Sequence, residues 1–295
     1  MAVSAIETQA PRASVTQQIA QRAPLILAAV AFGVLFSRPA TLLARDWWND
    51  PDAGHGLLLA PLAVWLAWKR GLLPASPQRI SGGLLLLAGV GLRYLSGLAA
   101  ELFTMRLSMV LAGLGILIFF RGVRQAVHWW LPIVLVGLSI PIPAVLTNTL
   151  ALPLQLKASS WGATLLAARH VPVELSGNII RLPGRDLFVT EACSGLRSLT
   201  ALLSLGVLVG GLWLRHPVSR LALILLALPV AMAVNAIRVF LTGFLVYFVD
   251  PKLGEGFIHL SEGWLLFIVA FIILGGFTWL VSLAESALRG AGDDA

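Results

Sequence analysis

The sequence predicts an all-α polytopic membrane protein of about eight transmembrane helices, with a short extended, β-like segment on the outer face just before a single cysteine. Three observations lead there. The 295-residue chain is 58% hydrophobic and only 12% charged, far from the balance of a soluble domain. Its apolar residues gather in runs of about 20, the length of one helical crossing of a bilayer. Its basic residues lie between those runs and favour one side. The net charge of +7 forms no stripe interleaved with aromatics, so it does not indicate nucleic acid as a partner. One cysteine excludes a disulfide framework and a multi-cysteine metal centre, and no cofactor is expected.

Residues 1–22 are polar and read as a disordered cytoplasmic tail. The run Pro24 to Ala44 exceeds the apolar core of a signal peptide and ends in no clean cleavage site, so it reads as an uncleaved first span. Apolar length places the spans at 24–44, 56–73, 82–100, 103–120, 126–147, 195–214, 219–248 and 263–284. Together they make one membrane domain over 23–287, followed by a cytoplasmic tail at 288–295. The piece 148–170 carries Lys157 and Arg169 among apolar residues at helical spacing, which suits an amphipathic or re-entrant helix better than a crossing. Val171 to Thr190 alternates apolar and polar residues around Ser176-Gly177-Asn178 and Pro183-Gly184-Arg185. That pattern predicts one or two short strands joined by turns, a lid on the outer face.

Charge orients the bundle. With the N-terminus cytoplasmic and eight spans, the internal cytoplasmic loops hold Lys69, Arg70, Arg79, Arg121, Arg124, Arg215 and Arg220, and no acid. The opposite side collects Asp46, Asp50, Asp52, Glu101, Glu174, Asp186, Glu191, Asp250, Glu255 and Glu262. Arg181 and Arg185 also fall there, so the rule holds as a bias. Both termini are then cytoplasmic, in a plasma (inner) membrane.

Three chemically capable side chains share the outer side. Cys193 is expected at the outward N-terminus of the sixth span, where the positive end of the helix dipole favours thiolate. Arg197, four residues on, adds a charge on the same face. A lone cysteine among small residues also serves as an ordinary core filler. Asn235 and Arg238, three residues apart, put an amide and a guanidinium on one face of the seventh span. An intramembrane arginine is unfavourable by a few kcal/mol and faces either a structural carboxylate or a polar cavity. His259, in the outer loop Asp250 to Gly263 ahead of Trp264, is suited to proton transfer near neutral pH, although a histidine beside an interfacial tryptophan is also commonplace. His55 is the other outward histidine set among Gly and acidic residues. A nucleophile, a fixed cation and a general acid/base on one face are the parts for acyl transfer through a thioester.

The stretch Glu191-Ala192-Cys193-Ser194-Gly195-Leu196-Arg197, the segment Asn235-Ala236-Ile237-Arg238-Val239, and His259 followed by Glu262-Gly263-Trp264 resemble the three signature motifs of the exosortase/archaeosortase family. The resemblance extends to His55-Gly56, Ile140-Pro141-Ile142-Pro143, Pro153-Leu154-Gln155 and Arg181-Leu182-Pro183. It implies a membrane transpeptidase that cuts C-terminal sorting signals of exported proteins: a Pro-Glu-Pro motif, a membrane helix and a basic tail. It further implies Cys193 as nucleophile with Arg238 and His259 as partners, the histidine marking the bacterial type. Glu191, Arg197, Asn235, Arg181 and His55 are expected in supporting or substrate-binding roles, the glutamate of the signal pairing with Arg197, Arg181 or Arg185. The residues alone also admit a transporter, or a non-catalytic assembly factor for exopolysaccharide export.

Overall fold

The computed structural model describes residues 15–50, 52–189, 196–250 and 256–293. Among the described residues, ten helices and three strands follow in the order α1 (Val15–Asn49), α2 (Gly56–Arg70), α3 (Arg79–Leu98), α4 (Leu102–Arg121), α5 (Val123–His128), α6 (Trp130–Leu138), α7 (Ala144–Ala167), β1 (Glu174–Ser176), β2 (Ile179–Leu182), β3 (Arg185–Phe188), α8 (Leu196–Trp213), α9 (Pro217–Phe248) and α10 (Gly256–Asp293). Among the described residues five helices are long and apolar enough to cross a membrane: Ala23–Asn49, Arg79–Leu98, Leu102–Arg121, Pro217–Phe248 and Leu265–Ala287. The protein is therefore a multi-pass, mostly helical membrane protein.

Several elements depart from the expected spans. The helix predicted over 126–147 is broken twice, at Trp129 and between Ser139 and Pro143. Pro141 and Pro143 explain the second break, because each lacks an N–H and holds the residue before it extended. Residues 148–170 were expected as an amphipathic or re-entrant helix after the fifth span, and the helix found there, α7, starts earlier and runs unbroken from Ala144 to Ala167 with Pro153 inside it. The second span stops at Arg70 rather than 73, where Gly71 takes a φ of +69° that ends the helix in the left-handed region. At the other end of the chain α10 begins at Gly256, so His259 and Trp264 lie on a helix rather than in a loop. Helix α1 starts at Val15, within the stretch read as tail, and α10 reaches Asp293.

The chain forms two compact units: Met1–Asp46 with Trp68–Trp130, and Trp47–Ala67 with Leu131–Ala295. In the first, α3 and α4 form a tight antiparallel hairpin because glycines let their backbones touch. A Cβ on Gly89 would sit 2.6 Å from the Ala112 nitrogen, and one on Gly115 would sit 2.5 Å from that of Leu86. Glu101 caps α4, accepting the N–H groups of Phe103 at 3.0 Å and Thr104 at 2.7 Å and the Thr104 hydroxyl at 2.5 Å. The Thr104 hydroxyl, helped by these amides, holds the Glu101 carboxyl below its ordinary value of 4.5. A depressed carboxyl stabilises the fold above its unfolded pKa and loses that contribution as pH falls through the folded one. Glu101→Gln is thus expected to lower stability by a few tenths of a kcal/mol at neutral pH, solvent screening included, and by progressively less as the pH falls below 4.5. Thermal unfolding in detergent across pH 3 to 7 measures this, and a gap independent of pH would refute it.

Arg106, only 4% exposed, meets Asp46 of α1 at 2.5 Å. Removing one partner strands a buried guanidinium, so Asp46→Leu is expected to cost about 2–3 kcal/mol, while Asp46→Leu with Arg106→Leu should cost less. Equal losses in the single and double variants would refute the pairing. Within the same unit the stretch that follows Arg70 is tied down by the buried Gln125, whose Oε1 accepts the Leu73 N–H at 2.7 Å, and by Trp129, whose Nε1 donates to the Gly71 carbonyl at 2.9 Å.

In the second unit, α9 changes partners along its length. Leu223, Ala227, Val230, Ala231 and Val234 pack with Leu202 and Val209 of α8 and with Leu266, Ala270 and Leu274 of α10. Further on, Val239 and Val246 pack with Ala158, Ala163 and Leu166 of α7 and with Ile180, Leu182 and Val189 of the sheet segment. Gly162 permits this second contact, since a Cβ there would meet the Val239 side chain at 2.5 Å. Glu285 of α10 joins the α8–α9 turn, accepting the N–H groups of Arg215 at 3.0 Å and His216 at 3.2 Å. The sheet is antiparallel in the order β1-β2-β3, closed by Gly177-Asn178 and Pro183-Gly184, with Gly177 at φ +64° and Gly184 at φ +82°.

Candidate active site

Asn235 and Arg238 sit at the seam where α9 passes from its α8–α10 contacts to its α7–sheet contacts, between Val234 of one cluster and Val239 of the other. Helix α9 is continuous through them, so their three-residue spacing places both on one face. Asn235 is 5% exposed and Arg238 half-buried, and neither is without a partner. Ten residues separate Arg238 from the end of α9, about 15 Å along the axis. A guanidinium at that depth is held by protein and not by easy reach to the headgroups.

Of the other expected site residues, Cys193 and Glu191 lie outside the described residues. Arg197 belongs to the first turn of α8 and His259 to the first turn of α10, with both side chains outside the described part. Between β3 and α8 the chain runs through Val189 and residues 190–195. The sheet that leads to Cys193 and the helix that carries Arg238 therefore share one apolar support.

Arg181 stands on the exposed face of β2, its Nη1 3.4 Å from the Glu174 carboxylate on β1. Both side chains are about half exposed or more, 49% and 73%, so the pair is weak and leaves Arg181 accessible. Arg185 falls on the opposite face of the sheet, in register with Leu182. The two arginines therefore do not present to the same side.

His55 has a structural partner. Its Nε2 lies 3.1 Å from the Leu138 carbonyl, which only accepts, so Nε2 carries the proton. Beside it the Trp47 indole donates to the Ser139 carbonyl at 2.7 Å, and Gly56 leaves room for that indole. These bonds pin the start of α2 to the end of α6. Trp47, Ser139 and Gly162 were not singled out in the sequence. The small residues Ala158, Ser159, Gly162 and Ala163, spaced to line one helix face, are the signal that marks α7 as a close-packing helix.

The family model described as transmembrane exosortase (Exosortase_EpsH) matches residues 47–276. That stretch takes in Cys193, Arg238 and His259, the sheet, and α2 through most of α10. No curated protein and no solved structure matches the chain. Because the matched stretch covers well over half of a multi-pass membrane protein, the chain belongs to the transmembrane exosortase family.

Proposed function

We propose that the protein is a membrane-embedded cysteine transpeptidase that cleaves C-terminal sorting signals of exported proteins and passes them to an acceptor. Family membership across 47–276 is the observation that carries this reading. The Cys193 thiolate attacks the scissile carbonyl carbon, and Arg238 stabilises the oxyanion that forms. As the C–N bond breaks, the electron pair leaves with the amine, His259 protonates it, and the acyl group remains on sulfur as a thioester. An acceptor nucleophile then attacks the thioester and regenerates the thiol. Asn235, one helical turn from Arg238, orients the guanidinium, and Arg197 or Arg181 binds the glutamate of a Pro-Glu-Pro signal. The clustering of basic residues between alternate apolar runs supports an orientation with both termini cytoplasmic and the site on the outer face.

The test is chemical trapping. A reporter ending in Pro-Glu-Pro, an apolar helix and an arginine tail is incubated with membranes holding the protein, with and without hydroxylamine. A thioester yields the reporter hydroxamate at the new C-terminus, and none forms with Cys193→Ala. Cleavage that gives no hydroxamate at any hydroxylamine concentration would rule the thioester out.

A further inference from the structure

We infer that the outer edge of β3 is the docking strand for the substrate: an extended stretch of the exported polypeptide beside its scissile bond adds to the sheet as a fourth strand. This rests on the peptidase reading above and adds to it where and how the peptide is held. The hydrogen-bonding parity of the hairpin settles which groups are available. The Val189 N–H donates to the Asn178 carbonyl at 3.0 Å, and the Asn178 side-chain amide donates to the Val189 carbonyl at 3.0 Å, so this opposed pair faces inward. Counting along the register, the backbone groups of Leu187 and Arg185 also turn toward β2. The two-residue turn Pro183-Gly184 gives the same parity from the other end, because such a turn closes on a hydrogen-bonded pair, here Leu182 and Arg185. The N–H and C=O groups of Asp186 and Phe188 therefore point away from β2. Among the described residues no strand pairs with that edge.

Four observations favour an extended peptide substrate as the occupant. Phe188 precedes Cys193 by five residues in the sequence, a backbone reach of at most about 17 Å. A substrate strand of some seven residues paired at Phe188 reaches that far. Cleavage needs the scissile carbonyl presented on an extended backbone, and strand addition imposes that conformation without reference to side chains. The sheet is also anchored rather than loose: Ile180 and Leu182 are buried with Val239, the residue after Arg238, so a peptide on β3 is held by the same core that holds the guanidinium. Finally, the exposed face carries a charged row Glu174–Arg181–Asp186 and a less polar row Ser176–Ile179–Phe188. With Arg181 at Glu174, the first row ends on the carboxylate of Asp186, which disfavours an acidic residue directly opposite it.

Proline substitution reads the proposal directly. Phe188→Pro removes an outward N–H while sparing the inward ladder, and Phe188→Ala removes only the side chain. Processing of the Pro-Glu-Pro reporter by Phe188→Pro is expected to fall on the order of tenfold below that by Phe188→Ala, chiefly in KM, with thermal unfolding in detergent alike for the two. Equal activities would overturn the proposal. Should Phe188→Pro fail to fold, disulfide capture decides, because the chain has a single native cysteine. Phe188→Cys in a Cys193→Ser background should trap a reporter bearing one cysteine near its Pro-Glu-Pro motif, whereas Glu174→Cys in that background should not. Equal capture, no capture, or capture of a second copy of the chain alone would overturn it. These readouts are independent of the thioester: hydroxamate formation with no capture rejects the docking strand and keeps the peptidase.

Discussion

Cys193→Ala is expected to abolish processing of the sorting reporter, a fall of at least about 10⁴ in rate. The chain offers no second thiol to take over, since Cys193 is its only cysteine. Cys193→Ser should retain less than about 1% of activity, because a serine hydroxyl is far less acidic than a thiol and stays un-ionised near neutral pH. Membrane insertion and thermal unfolding of both variants should match the parent, which separates lost chemistry from lost fold. A Cys193→Ala protein that processes the reporter at a tenth of the parent rate or better would sink the nucleophile assignment. The transport and assembly readings would then regain their place.

Arg238→Lys is expected to lower kcat by about 10²-fold with little change in KM. The physical reason is that charge on the scissile oxygen appears only in the tetrahedral state, so a group aimed at it acts on kcat. Lysine keeps the charge and most of the stem but loses the planar fork, and it reaches a different point. The position at the α9 seam makes the comparison clean, because the flanking Val234 and Val239 carry the packing. Thermal unfolding of Arg238→Lys should therefore stay within a few degrees of the parent. Full activity in the lysine variant, or a loss of stability that parallels the loss of activity, would assign Arg238 a structural part instead.

Of the candidate site, the relative placement of Asn235 and Arg238 was legible from their spacing. Asn235 and Arg238 could be placed on one helical face because three residues is nearly one turn, and α9 is continuous there. Their location at a seam between two apolar clusters was not legible, since it depends on which helices pack against each half of α9. His55 looked like a site residue from its glycine and acidic neighbours, and the structure gives its Nε2 to the Leu138 carbonyl. His259 was placed in the outer loop Asp250 to Gly263 ahead of the last span, yet the helix starts at Gly256.

What the sequence determined by itself was the class of the protein, the family its motifs resemble, and the rough positions of helices such as α3, α4 and α9. The resemblance rests on motif residues, whereas the class and the helix positions follow from composition and apolar length, which are local properties that a bilayer reads one segment at a time. Only the tertiary structure decided that 126–147 breaks into short helices, that α7 carries through Pro153, and that Arg106 pairs with an aspartate sixty residues away. Each of these depends on a partner distant in the chain: α9 packed against Gly162, or α1 bringing Asp46 to a buried guanidinium. Apolar length says that a segment prefers the membrane, but the choice of neighbour is made by shape and charge complementarity between segments that no local window contains.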